Sequence, residues 1–180
     1  MLQITAIRLP TCQEWDDFMG IEAVSERNEV AHWKGLYSWC HDEYPRHTLN
    51  RAVRGWVTAR NWNYHSSSFR FSFTAFRPAF EFEDANATGE DGALFTVGTL
   101  YMDGQPVKVP QSPICGPYGD VSDYALGTKL EIRKALSDPV YQVQAIKSGS
   151  ILMTDRNLLK TISWDDVQSA CAWQPALDSA

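Results

Sequence analysis

The sequence lacks the features that mark several common classes of protein. No run approaches the roughly 18 apolar residues of a membrane-spanning helix, and no basic region followed by an apolar run stands near Met1. The four cysteines lie far apart, with neither a C-x-x-C spacing nor a paired histidine motif, which disfavours a zinc ribbon or a redox motif of that type. We therefore expect a soluble, cytoplasmic protein with reduced cysteines, no metal and no membrane partner.

Positive charge is also scarce. Across 180 residues, 16 Lys and Arg stand against 22 Asp and Glu, which gives a formal net charge of −6. Nucleic-acid-binding domains are usually basic, so this balance argues against direct nucleic-acid binding but leaves room for a local basic face. The remaining composition, 44% hydrophobic and 21% charged, is ordinary for a globular chain with its own core.

One segment departs from the acidic average. Between Tyr44 and Phe80 there are six arginines and no Asp or Glu, interleaved with aromatic residues. Trp and Tyr supply rigid contact area, Ser and Asn supply adaptable hydrogen bonds, and Arg forms forked bonds to anions. This composition predicts an exposed recognition loop within 57–75 that takes a protein partner or an anionic ligand. The predicted binding residues are Arg60, Asn61, Trp62, Asn63, Tyr64, His65, Ser67 and Arg70.

Other side chains of the same segment are expected in the core. Large aromatic residues near strand-like runs are usually buried, and a buried arginine needs an internal partner. We expect burial for Arg54, Trp56, Phe76 and Arg77.

Two helix starts carry capping boxes. Thr11 with Glu14 opens a short helix near the N-terminus, and Ser163 with Asp166 opens another that we expect to run to about Trp173. Between them the pattern predicts mainly strands. Asp-Gly at 103–104 predicts a hairpin between 94–102 and 105–109. Long irregular loops and short strands are expected over 32–60, and the other predicted strands are 69–73, 75–82, 129–135, 140–146, 150–154 and 158–162.

Several motifs resemble, in order, those of the formylglycine-generating-enzyme-like (sulfatase-modifying-factor) family. Residues 8–15, Arg-Leu-Pro-Thr-Cys-Gln-Glu-Trp, are similar to its R-L-P-T-x-x-E-W helix start. Residues 35–44 resemble G-N-V-W-E-W-C-x-D-x-Y, and residues 50–56 resemble R-V-x-R-G-G-S-W. Residues 76–78 resemble the closing G-F-R strand, with Ala75 in place of its Gly. The matches span roughly residues 8–82. A further match, of 162–173 to S-W-x-D-A-x-x-Y-C-x-W, stands out of order and indicates either a permuted chain or an ordinary capped helix.

This resemblance implies a variant of the C-type lectin fold. The expected fold class is α+β, with a compact lectin-like core over 1–83 and an appended β-rich module with a C-terminal helix over 84–180. The alternative is that the second part is an insertion that closes back on the core. The oxidase members of the family use a cysteine pair to bind copper, and 57–75 contains no cysteine. The resemblance therefore implies a scaffold without the oxidase chemistry and without a cofactor.

Other catalytic arrangements are disfavoured by their geometry. Cys40, His41 and Asp42 are adjacent on a predicted strand, where neighbouring side chains point to opposite faces. The histidines match no metal-ligand spacing. The leading hypothesis is a non-enzymatic binding protein, of the kind that phages and mobile elements encode. The alternatives are an acidic inhibitor of a nucleic-acid-binding protein, whose charge mimics phosphate, and a divergent metal- and oxygen-dependent oxidase.

Overall fold

The computed structural model describes residues 3–25, 35–44, 47–83, 89–111 and 120–171. Within these ranges the chain is an α+β protein in which strands predominate. The strands are β1 (Gln3–Arg8), β2 (Tyr37–Tyr44), β3 (His47–Gly55), β4 (Trp62–Ser66), β5 (Thr74–Phe76), β6 (Ala79–Glu83), β7 (Leu94–Met102), β8 (Gln105–Pro106), β9 (Ser122–Asp123), β10 (Leu130–Arg133), β11 (Val143–Ser148), β12 (Ile151–Thr154) and β13 (Leu159–Lys160). The helices are α1 (Cys12–Gly20), α2 (Glu22–Ser25) and α3 (Trp164–Ala170), with a 3-10 turn at Pro139–Tyr141.

The strands form two sheets. The first has the order β1-β6-β12-β11-β7-β10, with β8 paired to β7, and its pairs are antiparallel. The second has the order β4-β3-β2-β5-β13-β9 and includes parallel pairs between β2 and β5 and between β13 and β9. Each sheet combines strands from before and after residue 83.

The largest cluster of buried side chains combines both sheets with α3. It contains Trp39 and Phe76 from the second sheet, Phe80 and Leu152 from the first, and Val167 from the helix. Because these side chains come from distant parts of the sequence, the cluster ties the two sheets and α3 together.

A second cluster lies under α1. Trp15, Phe18 and Met19, spaced i, i+3 and i+4, form the apolar face of this helix and pack with Ala59 and others. The Trp15 indole N–H donates to the Ala59 carbonyl at 2.8 Å, so the buried ring has its polar atom satisfied.

The two capping boxes are confirmed. The Thr11 hydroxyl accepts from the Glu14 amide while the Glu14 carboxylate accepts from the Thr11 amide, and Ser163 and Asp166 make the same reciprocal pair. Helix α3 ends at Ala170, and Trp173 lies outside the described residues.

The hairpin at Asp103-Gly104 is confirmed as well. Both residues have positive φ, 51° and 77°, which is the conformation that a two-residue turn of this kind requires. It joins β7 to β8, although β8 is shorter than the predicted 105–109 strand.

The prediction of long irregular loops with short strands over 32–60 is wrong for 37–44 and 47–55. β2 and β3 are long paired strands, because their cross-strand partners, and not local periodicity, decide the conformation. The predicted 69–73 strand is also wrong. The backbone there forms hydrogen bonds between residues three apart, as in turns. The Phe69 amide donates to the Ser66 carbonyl at 2.9 Å, and the Thr74 amide donates to the Phe71 carbonyl at 3.0 Å.

None of the helices in the described ranges is long and apolar enough to cross a membrane.

Candidate recognition surface

Strand β4 forms one edge of the second sheet. In the described ranges its sheet partner is β3, with Arg54 opposite Trp62 and Asn50 opposite Ser66. The prediction of an exposed loop within 57–75 is therefore wrong for 62–66, which form an edge strand. A strand in this position presents side chains on two faces and a backbone edge to solvent.

Exposure alternates along β4. Trp62 is 59% exposed and Tyr64 is 39% exposed, while Asn63 and His65 between them are half-buried. The odd and even positions therefore face opposite sides of the sheet. Trp62 and Tyr64, two residues apart, stand on one face about 7 Å from each other, as strand geometry requires.

The open edge of β4 is partly closed by its own side chain. The Tyr64 amide donates to the Asn63 side-chain oxygen at 2.8 Å, so this N–H is satisfied without a further strand. Edge strands that are blocked in this way resist pairing with another chain. Another molecule that approached this edge would therefore be contacted mainly by side chains of β4.

The other face of β4 meets a group of packed rings, which we call the aromatic cluster. It consists of Tyr37, Trp56, His65, Phe69, Phe71 and Phe73. Tyr37 stacks on Trp56 with 5.2 Å between ring centroids, and His65 stacks on Phe69 at 4.3 Å. Ring pairs at these distances each add about 0.5–1.5 kcal/mol beyond the burial of their area. The cluster is thus a preorganised group of rings at the protein surface.

Trp56 occupies an uncommon backbone conformation at the rim of this cluster. Its φ is 80°, in the left-handed region that a bulky residue rarely adopts. Two hydrogen bonds hold it there: the Trp56 amide donates to the Leu36 carbonyl at 3.0 Å, and the Gly35 amide donates to the Trp56 carbonyl at 2.9 Å. Strain of this kind persists where the surroundings over-determine it, often at functional surfaces. The prediction that Trp56 is buried is wrong, since this residue is 36% exposed.

His65 contributes to the cluster as a neutral ring. Burial lowers the pKa of this imidazole below its usual value, because desolvation disfavours the charged form. Its buried Nε2 has no hydrogen-bond partner among the described residues. The ring therefore acts at neutral pH as an aromatic surface between Tyr37 and Phe69.

Most arginines of the segment are engaged inside the molecule. Arg54 donates to Asp16 at 3.0 Å and to the Arg60 carbonyl at 3.2 Å, and Arg77 is buried with its guanidinium 5.2 Å from the Trp15 ring centroid. The burial predicted for Arg54, Arg77 and Phe76 is confirmed.

Two further arginines hold helix α3. Arg51 lies 4.3 Å from the Trp164 ring centroid, and Arg70 makes a two-bond ion pair with Asp166, one of its bonds at 2.7 Å. Ser67 also contacts this helix, since its hydroxyl donates to Asp165 at 3.1 Å. These side chains serve the packing of α3 on the second sheet and are only partly available to a ligand.

The eight predicted binding residues are thus divided among four places. Trp62 and Tyr64 lie on the exposed face of β4, and Asn63 and His65 lie on the opposite face. Arg60 and Asn61 are exposed in the turn before β4, where the Asn61 amide donates to the Thr58 carbonyl at 3.1 Å. Ser67 and Arg70 lie against α3. The structure does not bring all eight into one face.

Exposed apolar side chains extend the surface beyond these eight. Trp56, Val57 and Phe71 are exposed on either side of β4 in sequence, and Phe71 is 50% exposed. Sequence reasoning missed Tyr37, which enters the cluster from β2. No local signal marks it, because its partners are more than 18 residues away along the chain.

The disfavoured catalytic arrangement at 40–42 is likewise not assembled. Cys40 is buried, His41 is exposed, and the Asp42 carboxylate accepts the Cys12 amide at 2.6 Å. Within the described residues, no group of three or more His, Cys, Asp or Glu side chains has the arrangement of a metal site.

Comparison of the chain with models of protein families, with curated proteins and with solved structures finds no match.

Proposed function

We propose that this chain is a non-enzymatic recognition protein that binds a partner protein through β4 and its flanks. The observation that carries the proposal is the exposure of Trp62 and Tyr64 side by side on an edge strand whose opposite face is fixed by the aromatic cluster. Rigid Trp and Tyr anchors on a preorganised scaffold are what protein-binding surfaces use for affinity.

A protein partner is favoured over a small anion because of where the arginines point. Arg54 and Arg70 are paired with Asp16 and Asp166 and have little unneutralised charge to offer. Of the two arginines among the predicted binding residues, Arg60 is exposed and Arg70 is half-buried. Recognition then depends on apolar contact, and we expect the affinity to fall only weakly as salt is raised.

The experiment compares binding by the wild-type protein and by the triple variant Arg60→Ala, Trp62→Ala, Tyr64→Ala. Partners are captured from host lysate, identified, and then tested with purified components by calorimetry. Loss of one exposed aromatic anchor typically costs a few kcal/mol, so the triple variant is expected to bind at least about 100-fold more weakly.

The matched control is Leu94→Ala with Leu126→Ala, which removes two exposed leucines remote in sequence from β4. It is expected to bind like the wild type. Unchanged binding by the triple variant, or equal losses in both variants, would show that the surface around β4 is not the binding site.

For the scaffold, we propose a C-type lectin-like arrangement of the formylglycine-generating-enzyme type. Local geometry supports this: the motif at 8–15 forms a strand end and a capped helix, and those at 35–44 and 50–56 fall largely on paired strands. An experimentally determined structure tests it, since superposition on that fold must align β2, β3 and α1 in the same order.

A further inference from the structure

Two of the widely spaced cysteines meet in the fold. Cys12 is the first residue of α1 and Cys40 lies on β2. The interaction between their side chains is the largest influence on the pKa of each thiol, so the two side chains lie close together. Both are free thiols in this structure. No spacing rule predicts the pair, because 28 positions separate the two residues in the sequence.

Backbone and side-chain bonds hold the two segments together independently of the sulfur atoms. The His41 amide donates to the Pro10 carbonyl at 2.9 Å, and the Cys12 amide donates to the Asp42 carboxylate at 2.6 Å. Arg54, on the neighbouring strand β3, also reaches the Cys12 carbonyl at 3.4 Å. The start of α1 is therefore fixed beside β2, with Cys12 next to the strand that contains Cys40.

The two thiols differ in access and in acidity. Cys12 is partly exposed at a helix N-terminus, whereas Cys40 is fully buried. The hydrogen bond with Cys40 and the charge of Arg54 hold the pKa of Cys12 below its usual value, against burial and the Asp42 carboxylate. The hydrogen bond with Cys12, and then burial, raise the pKa of Cys40. Reactive cysteines occur where a thiol is accessible and its thiolate is stabilised.

We propose that Cys12 and Cys40 are a redox-active pair that forms a reversible disulfide by exchange with a small disulfide of the glutathione type. The Cys12 thiolate attacks one sulfur of the small disulfide, whose S–S bond breaks and releases one thiolate. Cys40 gives up its proton and attacks the Cys12 sulfur, which releases the second small thiol and forms the Cys12–Cys40 bond. Two protein thiols are oxidised and one small disulfide is reduced to two thiols. Oxidation ties α1 covalently to β2.

The roles are unequal. Cys12 is the attacking residue because it is partly exposed, and Cys40 is the resolving residue because it is buried beside Cys12. This inference is independent of the binding function proposed for β4, and either one can fail alone.

The test uses the full chain with Cys115→Ser and Cys171→Ser, so that Cys12 and Cys40 are its remaining thiols. After exposure to glutathione disulfide, free thiols are counted by alkylation and mass spectrometry, and the crosslink is mapped by proteolysis. We expect both thiols to be lost, a Cys12–Cys40 crosslink, and full recovery of both thiols with a reducing dithiol.

Two further variants separate the roles. With Cys40→Ser added, we expect a stable glutathione adduct on Cys12, because no resolving thiol remains. With Cys12→Ser added, Cys40 is expected to stay unmodified in the folded protein. A persistent Cys12 adduct in the parent carrying both cysteines, or two thiols that remain free under oxidant, would overturn the proposal. The parent measurement decides even where a variant does not fold.

Discussion

At the residue scale, the arginines of the segment from Tyr44 to Phe80 are mainly structural. The composition suggests a basic face, but Arg54 and Arg70 pair with carboxylates and Arg77 is buried under Trp15. A guanidinium satisfies several acceptors in a fixed plane, which suits it to joining elements in this way. The surface proposed for binding is therefore defined by the exposed rings of β4 and not by local charge.

Two arginine–carboxylate pairs, Arg8 with Glu14 and Arg70 with Asp166, make the stability of the fold sensitive to acid. Hydrogen bonds from the Arg8 guanidinium lower the pKa of Glu14 from its ordinary 4.5. For Asp166, burial acts to raise the pKa, but the bonds from Arg70 and Ser163 outweigh it and lower the pKa from its ordinary 3.8. In both cases the folded state binds the proton less readily than the unfolded chain.

The free energy of unfolding is therefore expected to fall on the acid side. The contribution of each pair is fully present above the ordinary carboxyl pKa and is lost as the pH falls through the lower, folded value. Urea unfolding at a series of pH values measures this decline. Asp166→Asn is expected to make it shallower, and Gln168→Ala, on the exposed face of the same helix, is expected to leave it unchanged. A decline as steep in Asp166→Asn as in the wild type would contradict the assignment.

At the element scale, the irregular pairing of β7 depends on Gly98. This residue has φ of 151° and stands where the pairing of β7 with β11 shifts register. A Cβ at this position would lie 2.4 Å from the Arg133 carbonyl oxygen and 2.6 Å from the Ile132 Cγ2. The close approach of β10 to β7 therefore needs a glycine here.

Gly98→Ala is expected to destabilise the protein by about 2–3 kcal/mol, because the clash is with backbone and forces the strands apart. Thermal or urea unfolding measures the change. The matched control is Gly20→Ala at the end of α1, where nothing lies within 4 Å of the added Cβ. There the smaller backbone entropy of the unfolded chain is expected to stabilise by about 0.4–1 kcal/mol. Equal effects at the two positions would rule out the steric explanation.

At the scale of the whole molecule, the two sheets interleave distant parts of the chain. β6, before residue 84, pairs with β12, after it, and β5 pairs in the same way with β13. The main core cluster also contains residues from both parts. Separating the two parts would break the β6–β12 and β5–β13 pairs and divide the main core cluster.

We therefore expect a single cooperative unfolding transition. Tryptophan fluorescence reports mainly on residues before 83, where five of the seven tryptophans lie, and far-ultraviolet circular dichroism reports on strands throughout. The two thermal curves are expected to coincide within error, as for one cooperative unit. Two separated transitions would instead indicate that 84–180 folds as its own module.

The sequence predicted the features that depend on neighbouring residues. The capping boxes at Thr11 and Ser163, the Asp103-Gly104 hairpin and the strand at 94–102 all follow from local hydrogen bonding and backbone preference. It failed where long-range pairing overrides local pattern. The alternating phenylalanines of 69–73 lie in turns and belong to the aromatic cluster. Residues 62–66 form a strand because β3 pairs with them.

The sequence by itself determined the α+β class, the helix starts and the segment in which the exposed aromatic residues lie, because these depend on composition and short spacings. The tertiary structure alone decided which face each residue takes, that Arg70 serves α3, that Tyr37 joins the aromatic cluster, and that Cys12 meets Cys40. The physical reason is that strand pairing and core burial act between residues far apart in the chain, whereas local conformational preference depends only on neighbouring residues.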